Sequence, residues 1–139
     1  MKTDLINILT SFSEITFALL FGSYAKETQT DLSDIDIAIY TSEPIDLLRQ
    51  GEMIAILEEK FNKRIDLILL NDLYKFNARL SFNIIDNHLV LISKDNDKYV
   101  DFKTNALLYY LDISPMYEMF DSNLTQRIKS GTYGKVKAS

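Results

Sequence analysis

The order of apolar and polar positions along the chain predicts alternating helices and strands. Leu5, Ile8, Leu9 and Phe12 recur at helical spacing, so residues 3–12 are expected to form an amphipathic helix. Short, continuous apolar runs that end at turn residues are typical of buried strands. On the same grounds, strands are expected over residues 15–21, 34–40, 64–70 and 89–93, and helices over 45–61, 72–86 and from 98 onward.

Two of these helices contain residues that weaken helical structure. Gly51 lies inside the helix over 45–61, where glycine costs about 1 kcal/mol relative to alanine, so a break there is allowed for. The pair Ser114 and Pro115 predicts a break in the C-terminal helix, because serine suits a helix cap and proline suits the first helical position.

The resulting order of elements predicts one α/β (α+β) domain, a small mixed β-sheet with helices packed on it. A chain of 139 residues with 47% hydrophobic residues suits a single compact domain. Within it, we expect a core over about 1–94 and a helical extension over about 96–128. Residues 129–139 are expected to form a flexible tail, because glycine, serine and lysine dominate them.

The amino-acid composition indicates the cellular compartment of the protein and the class of partner that it binds. Cysteine is absent, no small-residue cleavage site follows the N-terminus, and no apolar run approaches the roughly 20 residues that span a bilayer. We therefore expect a cytoplasmic protein without membrane contact. The net charge of −5 becomes −9 when the basic residues after Asp121 are set aside. Such an acidic body argues against the binding of nucleic acid, which needs many phosphate contacts from lysine and arginine.

Three aspartates interrupt strands that are otherwise apolar. Asp34 and Asp36 are two residues apart, so in a strand their side chains share one face with Cα atoms roughly 6 to 7 Å apart. Asp66 is the one acid of the next strand, RIDLILL, and its phase allows it to reach the same edge. Carboxylates this close repel one another, and oxygen ligands suit Mg²⁺ or Mn²⁺. This arrangement is used in two-metal phosphoryl or nucleotidyl transfer.

The pair Gly22 and Ser23 ends the first strand and opens a helical turn. Glycine there permits close approach of the backbone to a phosphate, and the N–H groups that follow, with the Ser23 hydroxyl, can bind an anion. Each feature also has a structural interpretation. Gly-Ser is commonly a simple turn, Asp-x-Asp is commonly a solvated edge or turn, and Asp66 could pair with Arg64 or Lys63. Their combination, in this order, favours a binding site.

The spacing Gly-Ser, ten residues, Asp-x-Asp, then one aspartate on a later strand resembles the polymerase-beta-like nucleotidyltransferase superfamily. The stretch "GSYAK…SDIDI" is similar in particular to its minimal nucleotidyltransferases (MNT). The segment "DFKTNALLYYLDISPMYEMF" resembles the C-terminal helices of the MntA-type antitoxins, whose partners are HEPN-domain toxins. The resemblance covers nearly the whole chain.

This resemblance implies an antitoxin that is a metal-dependent adenylyltransferase, moving AMP from ATP to a tyrosine of a HEPN ribonuclease toxin. It implies that Gly22 and Ser23 hold the triphosphate and that Asp34, Asp36 and Asp66 are catalytic residues that bind Mg²⁺ or Mn²⁺. The chain departs from the family pattern after Lys26, where relatives often have glycine and this chain has Glu27. Altered loop geometry or weaker nucleotide affinity is the expected consequence.

Two other functions remain open at this stage. One is a small-molecule nucleotidyltransferase of the aminoglycoside-modifying kind, although little chain is left to build an acceptor pocket. The other is a non-catalytic antitoxin that neutralises the toxin by covering it and carries a relic site. Retention of all three aspartates argues against the second.

Overall fold

The computed structural model describes residues 1–30 and 32–127, with side chains described as far as residue 113. The expected flexible tail over 129–139 lies outside the described residues. The elements, in chain order, are α1 (Lys2–Ser11), β1 (Ile15–Phe21), a 3₁₀ turn (Gly22–Tyr24), β2 (Ile35–Thr41), α2 (Leu47–Phe61), β3 (Ile65–Leu69), α3 (Leu73–Phe76), α4 (Ala78–Asp86), β4 (Leu89–Ser93) and α5 (Asn96–Arg127).

The four strands form one mixed sheet in the order β3-β2-β1-β4. β1 is antiparallel to both β2 and β4, whereas β2 and β3 are parallel. The end of β1 and the starts of β2 and β3 therefore meet at one edge of the sheet. That edge is where the predicted glycine turn and the three aspartates belong.

Helices cover both faces of the sheet, so the core has two layers. On one face, leucines of α1 and apolar residues of α2 pack against the isoleucines of β2. On the other face, α4 and α5 pack against Phe17, Leu19 and Ala38. The alternation of side chains along β2 separates Ile35, Ile37 and Ile39 from Ala38, as strand geometry requires. The predicted mixed α/β architecture is confirmed.

The expected helix over 72–86 is wrong as a single element. It divides into α3 and α4 at Asn77, whose backbone is not helical (φ −148°, ψ 77°). The Asn77 side-chain oxygen accepts a hydrogen bond from the Leu80 N–H, which caps α4. Asparagine competes for backbone hydrogen bonds in this way, so it begins a helix more readily than it continues one.

The two breaks that the sequence suggested inside helices are absent from the part of the chain that the structure describes. α2 continues through Gly51, and α5 continues through Ser114 and Pro115. Proline removes the hydrogen bond of its own nitrogen and crowds the carbonyl four residues earlier, but the hydrogen-bond ladder can resume on the next turn of a long helix. Although α5 has 32 residues, no helix among residues 1–30 and 32–127 is both long and apolar enough to cross a membrane.

Asn71 joins the far ends of the two strands that carry the aspartates. Its side-chain oxygen accepts a hydrogen bond from the Thr41 N–H at 3.0 Å, and its side-chain amide donates to the Thr41 carbonyl at 2.8 Å. The Thr41 hydroxyl also contacts the same Asn71 oxygen at 3.3 Å. Asn71, two residues beyond the end of β3, thereby extends the pairing of β2 with β3 as far as Thr41.

Replacing Asn71 with alanine is expected to lower the free energy of unfolding by about 2 to 3 kcal/mol. The Thr41 backbone groups would lose their partners, and Thr41 is only 2% exposed, so water cannot easily replace them. Chemical denaturation measures the change. The control is Asn83→Ala, at an exposed position of α4 where alanine favours the helix. Equal stabilities of the two variants would contradict the role given to Asn71.

Candidate active site

Strand pairing brings the predicted site residues of three strands to one edge of the sheet. In the antiparallel pairing of β1 with β2, Phe21 lies opposite Asp36. In the parallel pairing of β2 with β3, Asp36 lies opposite Asp66. Asp36 is thus the central residue, with the end of β1 on one side and the acid of β3 on the other.

Gly22 lies directly against the Asp36 carboxylate. Its backbone has a φ of +72°, in the left-handed region that favours glycine. A Cβ atom added to Gly22 would be 2.0 Å from Asp36 Oδ2 and 2.9 Å from Asp36 Cγ. Any larger residue would therefore displace the carboxylate, and this contact gives Gly22 a steric reason for being glycine.

The pKa of the Asp36 carboxyl depends on its two acidic neighbours. Burial raises the pKa of the Asp36 carboxyl above its usual value, and the neighbouring Asp66 and Asp34 carboxylates raise it further. Asp36 is half-buried, whereas Asp34 and Asp66 are exposed. A partly buried carboxyl with two acids beside it favours the binding of positive charge.

Asp34 lies just before β2 rather than inside it, so the predicted start of this strand is one residue too early. The Ile35 N–H donates to the Arg64 carbonyl at 2.9 Å, which places Arg64 beside Asp34 where β2 and β3 begin. Within the described part of the chain, no ion pair joins Arg64 to Asp66. Sequence reasoning missed this neighbourhood, because only the register between the two strands brings Arg64 next to Asp34.

Ser23 is the middle residue of the 3₁₀ turn that follows β1. The Gly22 carbonyl accepts hydrogen bonds from the N–H groups of Ala25 and Lys26, each at 3.2 Å, and the Ser23 carbonyl accepts from the Thr28 N–H at 2.9 Å. These bonds use the carbonyls of the turn. The N–H groups at the start of a helical turn have no acceptor inside it, so they are the groups that an anion would bind.

The carboxylates at this edge are of the ligand type that a hard divalent cation takes in proteins. Among the residues that the structure describes, no group of three or more acidic, histidine or cysteine side chains forms a complete metal centre. The strand register nevertheless places Asp36 opposite Asp66, and Asp34 precedes Asp36 by two residues. Mg²⁺ usually takes one or two carboxylates together with water and phosphate oxygens, so an incomplete set of carboxylates agrees with both observations.

Glu27 occupies the position at which the chain departs from the family pattern. Its φ is +58°, so its backbone is left-handed, a conformation that costs a residue with a Cβ atom about 1 to 2 kcal/mol. Glycine adopts this conformation without that cost. The left-handed backbone is a physical reason for glycine at such a position, and this chain adopts it with a less suitable residue.

Replacing Glu27 with glycine is expected to raise the free energy of unfolding by about 0.5 to 1 kcal/mol, since relief of the left-handed backbone outweighs the greater freedom of the unfolded chain. Thermal or chemical denaturation tests this. Gln29→Gly is the matched control, because Gln29 is equally exposed and its φ is not positive. That control should lose stability, and a loss in both variants would contradict the argument.

The sequence itself matches a known family. The profile of the family described as "Polymerase beta, Nucleotidyltransferase" matches residues 3–97, well over half of the chain. The chain belongs to this nucleotidyltransferase family. The resemblance inferred from the Gly-Ser and Asp-x-Asp spacing is therefore confirmed, and the matched range includes all five predicted site residues.

Curated relatives of this nucleotidyltransferase come from the archaeon Methanocaldococcus jannaschii. Two of them, each named a putative protein adenylyltransferase, are 44% identical over 55 residues. Those 55 residues are 40% of this chain and 56% of each relative. The chain thus matches little more than half the length of the curated relatives.

Solved structures similar to this nucleotidyltransferase come from toxin-antitoxin complexes. A chain of a toxin-antitoxin complex with AMP-PNP has a TM-score of 0.76 at 21% identity, covering 89% of this chain and 98% of that chain. A chain of the complex between a tri-AMPylated Shewanella oneidensis HEPN toxin and its MNT antitoxin has a TM-score of 0.70 at 18% identity, covering 89% and 95%. At these identities the likeness establishes the fold.

Proposed function

We propose that this protein is an antitoxin that transfers AMP from ATP to a tyrosine of a HEPN-domain ribonuclease toxin and thereby neutralises it. The observation that carries the proposal is the meeting of Asp36 with Asp66 and Gly22 at one edge of the sheet. The names of the similar proteins support the reaction and the partner, since they include protein adenylyltransferases and a complex with an AMPylated HEPN toxin. Both proteins would act in the cytoplasm.

The proposed roles follow from the positions of the five residues. Gly22 and Ser23 bind the triphosphate through the N–H groups of their turn. Asp34, Asp36 and Asp66 would hold Mg²⁺ or Mn²⁺, which when bound supplies charge stabilisation at the phosphates. Asp66, opposite Asp36, orients the acceptor hydroxyl and takes its proton. Asp36 is half-buried and lies beside two other carboxylates, which raises its pKa. This end of the sheet would therefore favour a phosphate ligand that carries a bound cation.

The proposed transfer is a single displacement of pyrophosphate at the α-phosphorus of ATP. The acceptor oxygen forms a bond to the α-phosphorus of ATP while the bond from that phosphorus to the bridging oxygen breaks, and pyrophosphate leaves with that oxygen. The proton of the acceptor hydroxyl passes to a carboxylate of the site and then to water. The product is an AMP ester of the tyrosine side chain.

The test is incubation with ATP labelled at the α-phosphate, Mg²⁺ and a cognate HEPN toxin. Label on the toxin with the wild type, and none with the double variant Asp34→Asn and Asp36→Asn or with a chelator, supports the proposal. Equal inhibition of the toxin by both proteins without label would favour a non-catalytic antitoxin. Transfer of label to an aminoglycoside instead of the toxin would favour the small-molecule enzyme.

A further inference from the structure

The strand β4 is the outermost strand on one side of the sheet, and its outer side is unpaired. The strand order β3-β2-β1-β4 places β1 on its inner side. Within residues 1–30 and 32–127, the backbone of Leu89–Ser93 forms hydrogen bonds with β1 and with no other segment. The outer side of β4 therefore presents a row of N–H and C=O groups, and the structure that fits such a row is another strand.

The sequence of β4 does little to protect this outer side. Proteins usually protect an outermost strand with charged residues or proline, and the sequence LVLIS contains neither. Leu89 is 36% exposed and Val90 is 44% exposed, although both are apolar. The register with β1 skips Leu91, and this bulge shortens the regular part of the strand. A partner strand on this side would thus be short and apolar.

The charges at the two ends of β4 indicate which strand fits. Asp86 ends α4, and Lys94 directly follows β4; both are exposed. Among the described residues, neither takes part in an ion pair. Lys94 Nζ donates to the Phe12 carbonyl at 3.2 Å, which keeps its charge at this end of the strand. An antiparallel second copy of β4 would place Asp86 of each molecule near Lys94 of the other, whereas a parallel copy would bring like charges together.

We propose that two copies of this protein associate through antiparallel pairing of β4 with β4, centred near Val90, so that their sheets join into one. The inference does not depend on the proposed function. β3, which carries Asp66, is on the opposite side of each sheet, so both candidate active sites stay accessible in the dimer. Because the paired segment is short, the dissociation constant is expected to be about 10 to 100 µM.

The test is the oligomeric state of the full chain, measured by sedimentation over about 1 to 500 µM. The wild type is expected to pass from monomer to dimer over this range. Val90→Lys is expected to weaken association about tenfold or more, because it places a charge at the centre of the pairing. Val100→Lys is the matched control, since Val100 is also 44% exposed but lies in α5. A wild type that stays monomeric overturns the inference, and so does equal weakening by both variants.

An exchange of charges tests the antiparallel direction. Asp86→Lys alone and Lys94→Asp alone each bring like charges together, so each is expected to weaken self-association about threefold or more. In an equimolar mixture of these two variants, the mixed dimer has opposite charges at both ends of the paired strands. The mixture is therefore expected to recover the association of the wild type, and no recovery overturns the antiparallel pairing. Unfolding midpoints of each variant separate weaker association from loss of the fold.

A disulfide tests the centre of the pairing. The chain contains no cysteine, so Val90→Cys introduces the only thiol. Residues directly opposite each other in an antiparallel pair have Cα atoms about 4.5 to 5.5 Å apart, within the range that a disulfide spans. Under mild oxidation, Val90→Cys is expected to form a covalent dimer about tenfold faster than Val100→Cys. Equal rates for the two variants would overturn the pairing at Val90.

Discussion

Replacing Asp36 with asparagine is expected to lower AMP transfer at least about a thousandfold while the protein remains folded. Asparagine keeps the shape of the side chain but removes the charge at the centre of the site, where Asp36 lies between Gly22 and Asp66. The measurement is the initial rate of toxin labelling at saturating ATP and Mg²⁺. Glu43→Gln, which removes one charge at an exposed position just after β2, should keep the wild-type rate.

The same variant should be more stable than the wild type at neutral pH. The pKa of Asp36 is raised in the folded protein by burial and by the carboxylates of Asp66 and Asp34, so ionisation of Asp36 opposes folding. This cost is absent below the unfolded pKa, grows as pH rises through the folded pKa, and is complete above it. The stability advantage of Asp36→Asn should therefore be present at pH 7 and vanish near pH 3. A less stable variant at pH 7 would contradict this electrostatic account.

Replacing Gly22 with alanine is expected to cost about 2 to 4 kcal/mol of stability and about a hundredfold or more in AMP transfer. The backbone at Gly22 has a φ of +72°, and the new Cβ would lie 2.0 Å from Asp36 Oδ2. Relief of this overlap requires movement of the Asp36 carboxylate or of the turn itself. Either movement separates the two parts of the site, so stability and activity should fall together.

Gly51→Ala is the matched control for Gly22→Ala. Gly51 lies inside α2, and a Cβ atom there would meet nothing within 4 Å. Alanine should raise the free energy of unfolding by about 0.5 to 1 kcal/mol through helix propensity, with the transfer rate unchanged. Denaturation and toxin labelling on both variants provide the comparison. Similar losses for the two glycines would mean that contact with Asp36 does not explain the requirement at Gly22.

Local patterns were sufficient for most of the fold. Apolar runs placed β1 and β4 at their observed bounds, although only β1 is largely buried and β4 exposes Leu89 and Val90 at the side of the sheet. The same approach failed at Asn77, Gly51 and Pro115. At Asn77 a side-chain cap divides the helix, which the spacing of apolar residues does not register. At Gly51 a propensity of about 1 kcal/mol is overridden by the burial of the helix face, and at Pro115 a long helix resumes after the proline.

The candidate site was predictable only in part. The spacing of Gly22 and Ser23 from Asp34 and Asp36 was visible in the sequence, because these residues are joined by one loop. The left-handed backbone of Glu27 was not, since glutamate as a residue type does not specify that conformation.

The sequence by itself determined the elements, the family and the identity of the acids at the strand starts. The tertiary structure alone decided which of them meet: Asp36 with Asp66 across β2 and β3, and Gly22 against the Asp36 carboxylate. The physical reason is that these contacts depend on register between strands far apart in the chain. A shift of one residue would turn the Asp66 side chain to the other face of the sheet.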